Sequence, residues 1–283
     1  MKKEIKQMLV VVLLLSVLLV GCSNGSAAGD KSLLETIKER KILIVATSPD
    51  FPPYEFIDSS KPADEQVVGA DIELAKHIAE ELGVELKLEI SDFPTAIASL
   101  STKKADIIIS GLGYKESRLE SMEFTKTYNP SEKDADSYQG VMIPEEKLGE
   151  LKTYEDFDGL KVGAQSGSLQ EGYVKSNMPG ANLEVIADLP TGVLMLKTGK
   201  IDALAMASTT GLQYISANPG LVMSDVRFED SNLAEYDGTL IGVQKGELEL
   251  LKVLNEIIDQ LLEDGTYEKW ESEYTDYAQQ IGA

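Results

Sequence analysis

The sequence predicts an α/β protein of two lobes, each a parallel-rich sheet flanked by helices, joined by two chain crossings over a cleft. Three observations carry this reading. A strand-helix-strand-helix-strand order runs from residue 42 to 109 and recurs from 161 to 207. The two copies share letters at an offset of 96, with Leu100, Thr102, Lys104 and Asp106 recurring as Leu196, Thr198, Lys200 and Asp202. The stretch from Gly246 to Ala283 reads as helix, available to return to the first copy. Such β-α-β-α-β units close as parallel sheets with helices on both faces.

In chain order, the N-terminus comes first. A charged start, Met1 to Gln7, precedes Met8 to Val20, apolar apart from Ser16. A permanent spanning helix needs about 20 apolar residues, so this shorter run reads as a secretory signal over 1–21. The one cysteine, Cys22, follows Leu19-Val20-Gly21, and no disulfide can form within the chain. It is either a stray thiol beside a cleavage site or a lipid-bearing residue, because Leu19-Val20-Gly21-Cys22 resembles a bacterial lipobox. Ser23 to Asp30 has the composition of a flexible tether, so 22–40 is expected to be a lipid-anchored tether and lead-in. Without the signal, 262 residues remain, with 23 basic against 47 acidic side chains, a formal charge of −24. A chain that acidic argues against a phosphate-backbone partner.

The body opens on an apolar strand, Ile42 to Ala46. The stripe Ile72, Ala75, Ile78, Ala79 and Leu82 predicts a helix over 71–82, capped by Gly83. Val84 to Ile90 alternates strictly, which predicts a half-buried strand with Ile90 inward. A helix from about Pro94 to Lys103 leads into Ile107-Ile108-Ile109, a run suited to a buried parallel strand. The second copy reads Lys161 to Gln165, Leu169 to Asn177, Leu183 to Ala187, a helix from Pro190 and a strand from Ile201. Polar segments, Asn129 to Gly140 and Asp225 to Gly238, separate the copies and the tail. In the tail, Leu250, Leu251, Leu254, Ile257, Ile258, Leu261 and Leu262 form one apolar face ending at Gly265. Lobe 1 is therefore drawn at 41–134 and 237–283, and lobe 2 at 135–236.

Enzymatic constellations are sparse. The single His77 lies in mid-helix, away from any nucleophile, and His or Cys metal sites are excluded by count. Asp134-Ala135-Asp136 reads as a solvated loop rather than a calcium site. The candidate binding residues sit at strand ends. Phe51-Pro52-Pro53-Tyr54-Glu55-Phe56 is an aromatic turn, suited to pack on its own lobe or to face a ligand. Phe93 follows the next strand. Ser110, Gly111 and Gly113 follow the buried run, where glycine lets a ligand approach backbone N–H groups. Arg118 is either a surface partner of Glu120 or Glu123 or a bidentate clamp for a carboxylate. Ser168 precedes a helix, as an N-cap or as part of an anion site.

From Lys41 to the end, the chain resembles the polar amino acid binding family of ABC-importer solute-binding proteins (family 3). The resemblance rests on Phe51-Pro52-Pro53-Tyr54-Glu55-Phe56, Gly69 to Ala75, Asp106 to Gly111, Glu116-Ser117-Arg118, Phe124 to Tyr128 and Leu262 to Tyr267. It implies a type II periplasmic-binding-protein-like fold, no cofactor, a monomer, and an amino acid or related small carboxylate bound by lobe closure. It implies partners in the membrane permease and ATPase subunits of an importer, and an extracytoplasmic location. The aromatics at Phe51 and Phe93 would sandwich the ligand side chain. Gly111, Gly113 and Arg118 would hold its α-carboxylate, helped by the turn at Ser168. Two positions depart from the family: Gly113 replaces the usual Thr or Ser, and Ala207 replaces the Asp that pairs with the ligand ammonium. Ser48 stands where basic amino acid binders carry an acid. Either the ligand lacks a free α-ammonium, or another acid such as Glu171 or Asp50 reaches in. The expected preference is for an aromatic, apolar or amine-modified ligand over lysine, arginine or histidine. The alternatives from other classes are a secreted enzyme on the same scaffold, similar to cyclohexadienyl dehydratase, and a ligand-sensing module.

Overall fold

A computed structural model describes residues 31–130, 137–229 and 236–282. The signal at 1–21, Cys22, the tether from Ser23 to Asp30, the Asp134-Ala135-Asp136 loop and the 134/135 lobe boundary lie outside the described residues. Helix α1 (Leu33–Arg40) starts at a capping box between Ser32 and Glu35 and stops at Lys41, which turns left-handed at φ 61°. Its Leu33 and Ile37 are buried in the first core, so the lead-in from Leu33 packs as part of lobe 1.

The first sheet contains β1 (Ile42–Thr47), β4 (Glu85–Ile90), β5 (Ile107–Ile108), β6 (Met122–Pro130) and β12 (Gly238–Gln244), in the order β4-β1-β5-β12-β6. β4, β1 and β5 run parallel, while β12 is antiparallel to both of its neighbours. Two short strands, β2 (Phe56–Ile57) and β3 (Val67–Val68), pair apart from it. Helices α2 (Ala70–Leu82) and α7 (Leu248–Asp264) cover one face, burying Leu74, Ile78, Leu254 and Ile258 against Leu43 and Ile107. Helix α3 (Phe93–Ser101) covers the other, with Ala96 and Leu100 against Ala46 and Ile108.

The second sheet repeats the plan with β7 (Gln139–Pro144), β8 (Lys161–Gln165), β9 (Asn182–Ile186), β10 (Ala203–Ala207) and β11 (Leu221–Phe228), ordered β11-β7-β10-β8-β9. Again three strands pair in parallel, and β7 is antiparallel to both of its neighbours. α4 (Leu169–Asn177) lies on one face through Val174, and α5 (Leu189–Lys197) and α6 (Ser208–Ala217) lie on the other through Val193, Leu196 and Tyr214. The two parallel trios are the repeated units read from the sequence. The two antiparallel pairs, β6 with β12 and β7 with β11, carry the chain between lobes, β6 leading to β7 and β11 to β12, so the polar segments are partly strand.

Two side chains depart from expectation. Ile90 is 53% exposed, because β4 is an edge strand whose last residue outruns the core, and Leu262 is 42% exposed at the last turn of α7. The tail returns to lobe 1 as expected. It then adds α8 (Thr266–Ile281), which packs on α2 and reaches across to α6 in lobe 2. No helix of the described residues is long and apolar enough to cross a membrane.

Candidate functional site

The carboxyl ends of β1, β5, β8 and β10 all feed loops into the space between the sheets, the place where open α/β folds bind ligands. A cavity of about 810 Å³ lies there. Phe51, Tyr54, Phe93, Ser110, Gly111, Gly113, Arg118, Ser168 and Ala207, distributed over six strand ends and turns in the sequence, all line it.

Arg118 sits in a short 3-10 turn (Glu116–Glu120) and is 5% exposed. The surface-pair reading is thereby overturned, and Glu123 pairs instead with Lys245 at 3.0 Å. One Nη1–H donates to the Gly113 carbonyl at 2.5 Å and one Nη2–H to the Gly167 carbonyl of lobe 2 at 2.8 Å. A guanidinium has five N–H donors, so two bonds leave a fork for a carboxylate. Burial lowers its pKa to about 10, which keeps it cationic at neutral pH. The Phe93 ring lies 5.5 Å from the guanidinium carbon, a cation–π contact, while Phe51 stacks on Tyr54 at 5.4 Å.

The glycines act differently from the expectation. The Gly111 N–H, expected to face a ligand, donates to Asp71 Oδ2 at 2.8 Å. Glycine is required at 111 because φ is +50° and a Cβ would lie 2.6 Å from the Phe51 ring. At Gly113 a Cβ would meet Leu169 Cδ1 of lobe 2 at 2.6 Å, so the absent hydroxyl is matched by an apolar lobe-to-lobe contact. Ser168 is an N-cap, its Oγ accepting from the Glu171 N–H at 3.1 Å.

Neither acid expected to replace the missing one at Ala207 is free. Glu171 does not line the cavity; it accepts from the Gly167 N–H at 2.7 Å and pairs with Lys175 at 2.5 Å. Burial raises its pKa, but those two partners together hold it below the usual range. Asp50 lines the cavity, yet its carboxylate accepts from Ser48 Oγ, from Gln165 Nε2 at 2.7 Å and from the Leu189 N–H at 2.9 Å. The last two belong to lobe 2, and Tyr214 of lobe 2 donates to the Asp50 carbonyl. Asp50 is thus a tie between lobes. Burial raises its pKa to about 6 against those hydrogen bonds. Ser48 is buried and does not line the cavity. Ala207 does line it, as an N-cap of α6 that makes no side-chain cap.

Four residues that matter escaped the sequence reading. Asp71, fully buried, accepts from Gly111 N–H, Tyr128 OH and Tyr267 OH, and so holds the β5 loop from behind. Glu55, 1% exposed, lines the cavity and accepts from Ser110 Oγ at 2.9 Å. Glu271 of α8 accepts from Tyr54 OH and Asn129 Nδ2. Gln213 of α6 is 2% exposed and also lines the cavity. The available signals were the Gly69-Ala70-Asp71 motif and the acids of the tail. Among the described residues, the cavity wall carries five carboxyl groups, Asp50, Glu55, Glu268, Glu271 and Asp276, against one cation, Arg118.

The family model of the bacterial extracellular solute-binding proteins, family 3, matches residues 43–277. The chain belongs to that family. It is 28% identical over 261 residues to the L-cystine-binding protein TcyJ of Escherichia coli K12, covering 90% of this chain and 92% of the relative. Among solved structures, the amino acid ABC transporter substrate-binding protein AbpA of Streptococcus pneumoniae, bound to L-arginine, is 30% identical with a TM-score of 0.78. That match covers 86% of this chain and 98% of the other. The ancestral amino acid-binding protein AncCDT-1, a precursor of cyclohexadienyl dehydratase, matches at 27% identity and a TM-score of 0.74, over 86% of this chain and 100% of its own. This member therefore has the two-lobed type II periplasmic-binding-protein fold, and its relatives are amino-acid-binding proteins of ABC transporters.

Proposed function

We propose that this chain is the extracytoplasmic substrate-binding lipoprotein of an ABC importer, held to the membrane by lipid on Cys22. It binds an amino acid or related small carboxylate in the interlobe cleft and presents it to a membrane permease and its ATPase, without catalysis. The observation that carries the reading is Arg118: a buried guanidinium in the cavity wall, bonded to one carbonyl of each lobe and with donors to spare. A carboxylate bound there joins the two lobes through one side chain, which couples capture to closure. Phe51, Tyr54 and Phe93 supply faces for the ligand side chain, and Ser110, Gly111, Gly113, Ser168 and Ala207 complete the wall. The lobe boundaries near 134 and 236 are part of this proposal.

A thermal-unfolding screen of free amino acids and small carboxylates tests it, since a ligand at 100 times its Kd adds about 2.7 kcal/mol. A silent screen, or turnover of a cyclic dienyl carboxylate, would overturn it. For the anchor, Cys22→Ser should release a folded, soluble body; a variant still membrane-bound after signal cleavage would remove the lipid claim.

A further inference from the structure

The turn that follows β1 plugs lobe 1 into lobe 2. Asp50 is 9% exposed, and groups from three elements of lobe 2 close on it. Gln165 Nε2 at the end of β8 and the Leu189 N–H at the start of α5 both donate to its Oδ2, at 2.7 and 2.9 Å. Tyr214 OH of α6 donates to its carbonyl at 2.7 Å, and the next side chain, Phe51, packs against the lobe 2 core. From lobe 1, Ser48 Oγ donates to Oδ1 at 3.0 Å. The titratable groups that face Asp50 are Asp188 at the N-cap of α5, Glu55 of its own lobe and Tyr214. None of them is a cation, so the carboxyl enters lobe 2 without a salt bridge among the described residues. Burial, with the charge and hydrogen bond of Asp71, holds Glu55 well above the usual carboxyl range. Burial likewise holds the Tyr214 phenol well above its usual range.

We propose that Asp50 is a proton-linked latch: lobe closure moves its carboxyl from water onto Gln165 and Leu189 and takes up a proton there, so the closed form is favoured in acid. Docking strips water from the carboxylate and returns only neutral dipoles, which disfavours the charge. A protonated Asp50 keeps both lobe 2 donors on Oδ2 and turns its new O–H from Oδ1 to Ser48 Oγ. In the docked geometry burial raises its pKa to about 6 against those hydrogen bonds, while a carboxyl in water titrates near 4. The closed form therefore holds the proton more tightly. Its advantage is full below about pH 4 and is lost as pH rises through about 6. These values make the closed-to-open ratio about tenfold larger at pH 5 than at pH 7.5. The latch belongs to the lobes whatever the cleft binds; that it strengthens capture in acid rests on the solute-binding reading.

The Leu189 amide is the reporter. It opens α5 and has no acceptor within that helix, so it faces water once Asp50 undocks. Amide hydrogen exchange of the ligand-free, full-length chain in mild detergent, read by NMR and corrected for the intrinsic effect of pH on exchange, measures its protection. Leu189 should be about tenfold better protected at pH 5 than at pH 7.5. The Ile241 N–H, bonded to Thr125 Oγ1 inside lobe 1 at 2.9 Å, should stay better protected than Leu189 throughout and marks an intact fold. Asp50→Asn, neutral and still an acceptor, should give equal Leu189 protection at the two pH values, no lower than the wild type at pH 7.5. Asp50→Ala should lower it at both. Equal wild-type protection of Leu189 at both pH values, or a tenfold difference that survives in Asp50→Asn, overturns the latch. Neither result touches the proposed function, which stands or falls on the ligand screen.

Discussion

Arg118 keeps its charge inside the cavity wall because two carbonyl dipoles and the Phe93 face replace water around it. No carboxylate of the described residues pairs with it, which distinguishes it from the ion pairs at the surface. Its removal has two separable consequences. Arg118→Ala should weaken a carboxylate ligand by about a hundredfold or more, the range of a charged pair left half made. It should also lower stability by about 1–3 kcal/mol, since the carbonyls of Gly113 and Gly167 lose their donor. Calorimetry and chemical denaturation measure the two effects. Near wild-type affinity would mean that the guanidinium is only a structural link between lobes. At the same scale, Asp71 explains why the loop after β5 is rigid without touching a ligand: one carboxylate collects donors from the loop, from β6 and from α8.

Among the elements, α8 has the largest role relative to its sequence signal. Its apolar face is thin, with Tyr267 and Ala278 as its buried residues. It is held by specific contacts instead: Tyr267 OH to Asp71 at 2.7 Å, Tyr274 OH to Glu73 at 2.8 Å, and Phe56 packed among Tyr274 and Tyr277. Through Glu268, Glu271 and Asp276 it supplies most of the acid in the cavity wall. Tyr267→Phe removes one donor from the buried Asp71 and should lower the unfolding free energy by roughly 1–3 kcal/mol. A denaturation midpoint unchanged from wild type would show that Tyr128 and Gly111 satisfy that carboxylate alone.

For the whole molecule, the acidity has a thermodynamic consequence. Burial raises the pKa of Asp50, to about 6, and also raises those of Glu55, Asp71, Asp106 and Glu271. Unfolded carboxyls titrate near 4, so the folded chain binds more protons than the unfolded chain between about pH 4 and 6. Stability from these groups is full below about pH 4 and is lost as pH rises through their folded values. Asp50 alone contributes about 3 kcal/mol of this slope. The unfolding temperature should therefore be higher at pH 5 than at pH 7.5, and Asp50→Asn should shrink the difference. A lower unfolding temperature at pH 5 would contradict the buried-carboxyl account. Asp58, Asp156 and Asp264, whose values are lowered by local hydrogen bonds, act in the opposite sense only at stronger acid.

The sequence by itself determined the repeated unit and part of the cleft wall. Periodicity is a local property: the stripe from Ile72 to Leu82, the run Ile107 to Ile109 and the strand Lys161 to Gln165 each declare which face is buried wherever they pack. The strand-end rule then points Phe51, Ser110, Arg118, Ser168 and Ala207 at one place. What only the tertiary structure decided is which polar groups find each other. Strands β6, β7, β11 and β12 form by antiparallel pairing with distant partners, so their mixed polarity gave no local sign. Asp50 could serve a ligand or join the lobes, and the choice depends on Gln165 and Leu189, more than a hundred residues away. Gly111 could offer its N–H outward until Asp71 came to lie behind it. Hydrogen-bond partners are assigned by three-dimensional neighbours, whereas burial of a stripe is assigned by its own spacing.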